Sequence, residues 1–397
     1  MRLNKKLAAC LCVTALCGIT AYPIQAADAS LWAGSPEFAR TADKWSTLRD
    51  NVLQYDEIAD LIHEYNVTVQ NNRISYADYR DKDNDDIRNS YMESAQDLYS
   101  AAADILTGVD ETNPSYASLV YSATNTKIQA ENMIQKADSD TSDSETLKLQ
   151  YDQQEATLVS SAQSLMNSYQ QLQANLEALK SSRDLQEATY QSMEAKAGLG
   201  IITQADLLTA KQSLQTAEAS ISSMESNMRN VRQNLCVMTG WNHDANPEIQ
   251  AIPSTDLNRV SAIDLEADKQ KAIDNNYSLK SSRRQLTNAS NGTSREKLQK
   301  EIDAADQKIR ANVASSYEAV VKAKSDYDEA VTALAVEETN MAAAESGYQI
   351  GTLSQLEYQQ TKTSYVQKQV NKQVCDLALF QALETYNWAV NGLASTT

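Results

Sequence analysis

Leu207, Ala210, Leu214, Ala217, Ile221, Met224, Met228, Val231, Leu235 and Met238 alternate spacings of three and four residues without a slip. That is the heptad seam of a left-handed coiled coil, an apolar stripe that needs a facing helix. Upstream, Leu158, Ala162, Leu165, Tyr169, Leu172, Leu176 and Leu179 keep the same rhythm, which resumes after Arg183 and Gln186 at Tyr190, Met193 and Ala197. Pro23, Pro36, Pro114, Pro247 and Pro253 are the only prolines, so 116–246 and 254–397 lack the residue that breaks a helix at a cost of ~3 kcal/mol. The pattern predicts an all-α fold with main helices of about 45 to 50 residues, on the order of 70 Å long.

The two seams meet at Gly198-Leu-Gly-Ile-Ile-Thr-Gln-Ala-Asp206, two glycines in a chain that has only ten. Glycine takes the left-handed backbone that ends a helix, so matching seams on either side predict an antiparallel hairpin. Thr203 is placed to cap the second helix with Asp206 at its third position, the spacing of a capping box. Around Tyr348-Gln-Ile-Gly-Thr-Leu-Ser-Gln-Leu-Glu357 the arrangement returns, with Gly351, Ser354 and Glu357 in the corresponding places.

The repetition extends beyond the tips. A shift of 151 residues superposes Gly200 on Gly351, Thr203 on Ser354 and Asp206 on Glu357, and a shift of 210 superposes Asn66-Val-Thr-Val69 on Asn276-Tyr-Ser-Leu279. The difference marks an extra segment in the first half, near 79–139, read as two helices joined at Thr107–Asn113. Gly240, Pro247 and Pro253 mark a connection between the halves. The predicted organisation is a leader over 1–26, a first repeat over 27–240, a linker over 241–255 and a second repeat over 256–397.

The leader is read from Arg2, Lys5 and Lys6 ahead of an apolar run from Leu7 to Ala21, with Ile24-Gln25-Ala26 as a cleavage site. An exported chain of the cell envelope or extracellular space follows, not integrated in a membrane by strands of its own. Without the leader the chain carries 32 basic and 53 acidic residues, net −21, a surface that repels phosphate backbones. Nucleic acid is excluded as a partner. Cys236 and Cys375 remain, at positions offset by roughly 18 Å along their helices, and are expected to be buried free thiols.

Catalytic and metal chemistry find little material. His63 and His243 are the only histidines, and neither a Gly-x-Ser-x-Gly elbow nor a phosphate loop is present. Asp81-Lys-Asp-Asn-Asp-Asp86 begins like a calcium loop but lacks its glycine, and Met92 stands where the bidentate acid belongs. It reads as a solvated turn. No enzyme and no cofactor is expected.

The tandem halves, the Asn-x-Ser/Thr turns at Asn66 and Asn276 and the two tip motifs together resemble the TolC-like outer-membrane efflux proteins, over essentially the whole chain after the leader. That resemblance implies a homotrimer whose long helices form a tunnel. It also implies tips that dock on a periplasmic-adaptor-like membrane fusion protein of an ABC-type or other efflux pump. The docking residues carried over are Gly198, Leu199, Gly200, Ile201, Thr203 and Asp206 in the first tip and Ile350, Gly351, Leu353, Ser354 and Glu357 in the second. Asp206, Tyr348 and Glu357 match a tunnel entrance, although helix-capping explains the two acids equally and a place in the seam explains Tyr348. Two departures stand out: Leu353 occupies a place where some members carry an arginine, and no ten-residue alternating strand for a membrane barrel is found. A barrel-less variant, as in Gram-positive bacteria, is the expectation. The other reading is a structural coiled-coil envelope protein that binds surface or host partners without transport.

Overall fold

A computed structural model describes residues 35–396, so the leader read over 1–26 lies outside the described residues. In the described chain the helices are α1 (Ala42–Leu48), α2 (Ile58–Tyr65), α3 (Val67–Ala77), α4 (Asn84–Leu106), α5 (Tyr116–Ser139), α6 (Ser144–Gly198), α7 (Gln204–Met238), α8 (Asn258–Ser261), α9 (Leu265–Asn275), α10 (Tyr277–Asn288), α11 (Gly292–Gln349) and α12 (Gln355–Trp388). The only strands among these residues are β1 (Val52–Leu53) and β2 (Glu248–Ile249), a two-residue parallel pair. Neither approaches the ~10 residues that a membrane-spanning strand needs.

The heptad reading of α7 holds position by position. All ten seam residues are buried or half-buried, and most of their neighbours on α7 are exposed. This is the burial expected of one helix packed along one other, and α7 lies along α6. The helix α6 does more than its predicted seam shows. A second face, carrying Ala156, Val159, Met166, Asn167, Gln170 and Ala174, is fully buried, because α6 also packs along α12. Asn167 Nδ2 donates to Leu377 O at 2.8 Å, and Thr363 Oγ1 donates to Ser181 O at 3.2 Å. Rising numbers on α6 thus meet falling numbers on α12, so the two run antiparallel. Both hairpin tips therefore lie at the same end. With α11 along α12, the long helices form one layer in the order α7, α6, α12, α11.

The equal arms expected from periodicity are corrected. Outgoing helices α6 and α11 have 55 and 58 residues, whereas the returning α7 and α12 have 35 and 34. At 1.5 Å per residue that is about 80 to 90 Å against about 50 Å. Beyond the end of each returning helix, short helices cover the outgoing one: α2, α3 and α10 on α6, and α9 and α10 on α11.

The Asn-x-Thr/Ser turns make this junction. Asn66 Oδ1 accepts from Thr68 N and Val69 N to cap α3, while its Nδ2 donates to Met238 O at the end of α7, 2.8 Å away. Asn276 caps α10 through Leu279 N and donates to Gly392 O and Ala394 O beyond α12, at 3.3 and 2.8 Å. One buried amide thereby satisfies helix-end groups of two segments that the chain brings together from over a hundred residues apart. Two apolar cores sit beside these junctions, one around Leu48, Ile58, Ile62, Met166 and Leu235, the other around Ile273, Leu279, Ile309, Leu379 and Leu383.

The extra segment of the first half is the antiparallel pair α4 and α5. The two helices are joined across 107–115. The Asp81–Asp86 stretch is a helix start: Asp83 and Asp86 form a capping box. Cys236 is a buried free thiol as expected; Cys375 is free but only half-buried, since it lies on a flank of α12 rather than in its seam.

Candidate functional site: the two hairpin tips

At the first tip α6 ends in two nested hydrogen bonds. Gly200 N donates to Ala197 O and Ile201 N to Lys196 O, both at 2.9 Å, with Gly200 at φ +71°. This is a Schellman ending, which satisfies carbonyls that a terminating helix leaves bare and demands a left-handed residue. The second tip repeats it: Gly351 N donates to Tyr348 O at 3.1 Å and Thr352 N to Gly347 O at 2.9 Å, with Gly351 at φ +79°.

Each returning helix then opens with the predicted capping box. Asp206 N donates to Thr203 Oγ1 at 3.2 Å, and Thr203 N donates back to Asp206 Oδ2 at 3.0 Å. In the second tip Glu357 N donates to Ser354 Oγ at 3.3 Å and Ser354 N to Glu357 Oε2 at 2.8 Å. The Thr203 hydroxyl and backbone hold the Asp206 carboxyl below its ordinary pKa; the Ser354 backbone and hydroxyl do the same for Glu357. Both acids are therefore occupied in helix capping, the structural role the sequence offered, while they stay at the surface.

The tips present apolar side chains to solvent. Leu199 is 76% exposed, Ile201 66% and Ile350 75%. Nothing lies within 4 Å of where a Cβ would stand on Gly198, Gly200 or Gly351, so the glycines face open space. Leu353 behaves differently. It is half-buried, folded back over Gly347. Tyr348 stacks on Tyr358 across the turn, ring centroids 4.8 Å apart and planes 17° from parallel. The carried-over residues are thus brought together as two clusters at one end of the layer.

Sequence reading missed two participants. Leu208, 61% exposed, extends the apolar surface of the first tip. Tyr358 braces the second, and the paired tyrosines on either side of the turn were the signal that would have found it.

No family model matches the chain, and no curated protein matches it by sequence. Solved structures do. The Campylobacter jejuni CmeC outer membrane channel superposes with a TM-score of 0.54 at 12% identity, over 89% of this chain and 88% of that one. The fold is TolC-like. The outer-membrane channel OprN gives 0.49 at 12% identity over 88% and 92% of the two chains. The outer membrane protein VceC of Vibrio cholerae gives 0.48 at 14% over 89% and 99%. Within the TolC-like frame this chain carries the helical pair α4–α5 in its first half and, among the described residues, no barrel strand.

Proposed function

We infer that this chain is one subunit of an efflux conduit in the cell envelope, which three copies complete and which meets a helical adaptor of a pump at its tips. The observation that carries the reading is an open layer. Within one chain α7 packs along α6 and α11 along α12, and among the described residues both outer edges are left without a long-helix neighbour. Leu208 and Val237 on α7 and Val321, Val331 and Val336 on α11 are exposed. A heptad helix at an open edge is stabilised by a further helix, and joining α7 of one copy to α11 of the next closes a ring.

The tips support the second part. Two equivalently built turns at one end, with rigid backbone, open glycines and exposed Leu199, Ile201 and Ile350, offer a surface that an amphipathic helix hairpin can cover. The −21 charge of the chain after its leader argues for a protein partner over an anionic lipid or nucleic acid. An envelope without an outer membrane suits a conduit that has no barrel strands among its described residues.

The test is sedimentation of the mature chain with and without an adaptor and pump of its own envelope. A trimer that binds the adaptor, and loses it at least tenfold on L199D/I350D with helix content unchanged, supports the reading. A monomer with tip-insensitive binding to some other envelope partner establishes the structural coiled-coil alternative instead.

A further inference from the structure

The layer of long helices has two faces, and the charges of α6 and α7 gather on one of them. On α6, steps of three and four residues from Gln170 reach Glu177, Lys180, Asp184 and Glu187; on α7, the stripe through Arg232 holds Lys211, Glu218, Glu225 and Arg229. Hydrogen bonds mark this face as the covered one. Gln170 Nε2 donates to Gln250 O of the linker at 3.0 Å, Arg232 donates to Asn246 of the linker, and Thr255 N donates to Asp376 Oδ1 of α12 at 3.2 Å. His63 of α2 meets Glu155 of α6 at 2.6 Å on the same side.

The other face is uncharged along three helices. From Thr157 to Ser182 on α6, alternate steps of four and three land on Thr, Ser, Ser, Ser, Gln, Asn, Ala and Ser. From Thr209 to Asn234 on α7 they land on Thr, Ser, Thr, Ser, Ser, Asn, Asn and Asn. From Gln360 to Thr385 on α12 they land on Gln, Ser, Gln, Asn, Val, Ala, Gln and Thr. With 3.6 residues per turn, each stripe lies roughly 80–180° around its helix from the linker contact. None of these positions is buried, and all those on α7 are exposed. Ser182 of α6 and Thr209, Ser213, Thr216 and Ser220 of α7 line one shallow groove, so their stripes share a face.

The exception is α11. Its Lys322 and Asp326, paired at 2.6 Å, and its Glu329 stand near the Cys375 thiol of α12, on the flank of the uncharged stripe. Exposed Lys368, seven residues before Cys375, lies on that flank as well. One rib per copy thus carries charge, of both signs.

We propose that the bare face of α6, α7 and α12 is the inner wall of the conduit, and that its hydroxyls and amides pass polar cargo without selecting for the sign of its charge. This rests on the ring reading above. Twelve helices about 10 Å apart trace a circle of ~120 Å, which leaves a bore of roughly 30 Å after subtracting the helices' own width. Three copies of the linker, the strand pair and the short helices would fill such a bore, so the face that carries them turns outward. A wall of one sign concentrates counter-ions and repels ions of its own sign. Here the outer charges lie a helix diameter of about 10 Å away, beyond the ~8 Å over which physiological salt screens them. Hydroxyls and amides both donate and accept, so they serve cations, anions and neutral polar groups alike.

Single cysteines in the mature chain, with Cys236 and Cys375 replaced by alanine, decide it once helix content and oligomer size match wild type. S168C lies on the bare face and Q173C on the linker face. In the oligomer, S168C should react with a small dye maleimide but at least tenfold more slowly with a maleimide on a poly(ethylene glycol) chain wider than the bore; Q173C should take both alike. Equal reaction of S168C with both reagents in a chain that oligomerises overturns the wall assignment and leaves the ring reading standing. The dye at position 168 is then quenched with iodide and with caesium. A ratio within twofold of that for free dye is expected, and suppression of either ion by fivefold or more overturns the uncharged wall. A wild-type chain that is monomeric at every concentration removes the ring reading and this proposal together.

Discussion

Each of the two hairpins has a glycine at positive φ at both ends of its returning arm, and the two ends differ in what surrounds it. At the tips, Gly200 and Gly351 stand in open space. At the junctions, Gly240 (φ +85°) and Gly392 (φ +127°) are covered: a Cβ on Gly240 would lie 2.3 Å from Tyr65 Cβ and 2.8 Å from its carbonyl oxygen, and one on Gly392 would lie 2.8 Å from the Tyr277 ring. The tips require glycine for backbone sign alone, the junctions for sign and for space. One end is free to receive a partner; the other is locked to its own chain.

The largest expected effect is at the locked end. Gly240→Ala combines left-handed strain of about 1–2 kcal/mol with a clash against backbone of about 1–3 kcal/mol, so a loss of about 3 kcal/mol is expected in chemical denaturation. Gly392→Ala should cost a similar amount: the Tyr277 ring can give way, but φ +127° lies farther from the left-handed region an alanine can adopt, and Asn275 O stands 3.1 Å from the added Cβ. Asn276→Ala follows. It removes a cap and strands two buried carbonyls, roughly 2–3 kcal/mol together, and Asn66→Ala, with a single donated bond to Met238, should fall below it.

Gly200→Ala and Gly351→Ala sharpen the contrast from the other side. Only backbone strain is at stake there, about 1–2 kcal/mol. If either proves as costly as Gly240→Ala, the two ends are not different in kind and the contrast collapses.

The smallest effect is a pH response confined to the tips. Asp206 and Glu357 have lowered pKa values when folded, so their stabilisation is complete above the unfolded carboxylate values of roughly 4 and is lost as pH falls through the lower folded values. Hydrogen exchange at the start of α7 and α12, corrected for intrinsic rates, should quicken between pH 5 and pH 3 in wild type. In T203V/S354V that dependence should weaken. Exchange equally insensitive in both chains would show that the caps contribute nothing to order at the tips.

Much of the tip was legible because its signals are local. A Schellman ending and a capping box each involve residues within six positions, so Gly200, Thr203 and Asp206 announce them without knowledge of the rest of the chain. The junction was half legible. Asn66 and Asn276 were recognisable as turns, but their amide partners, Met238, Gly392 and Ala394, lie over a hundred residues away. The stacked Tyr348 and Tyr358 fall between these cases, close in sequence yet paired only once the turn has formed.

The sequence by itself determined the helices, their heptad faces, the two reversals and the helical pair inserted in the first half, since periodicity and capping depend on one or two turns of chain. Tertiary structure decided which helices lie side by side. Asn167 and Thr363 are polar, yet they are buried because α12 lies along α6, and Gln170 is buried under the linker, donating from Nε2 to Gln250 O at 3.0 Å. A heptad states that a helix needs a neighbour; the identity of that neighbour, and the lengths of the arms it covers, come only from the packing of the whole layer.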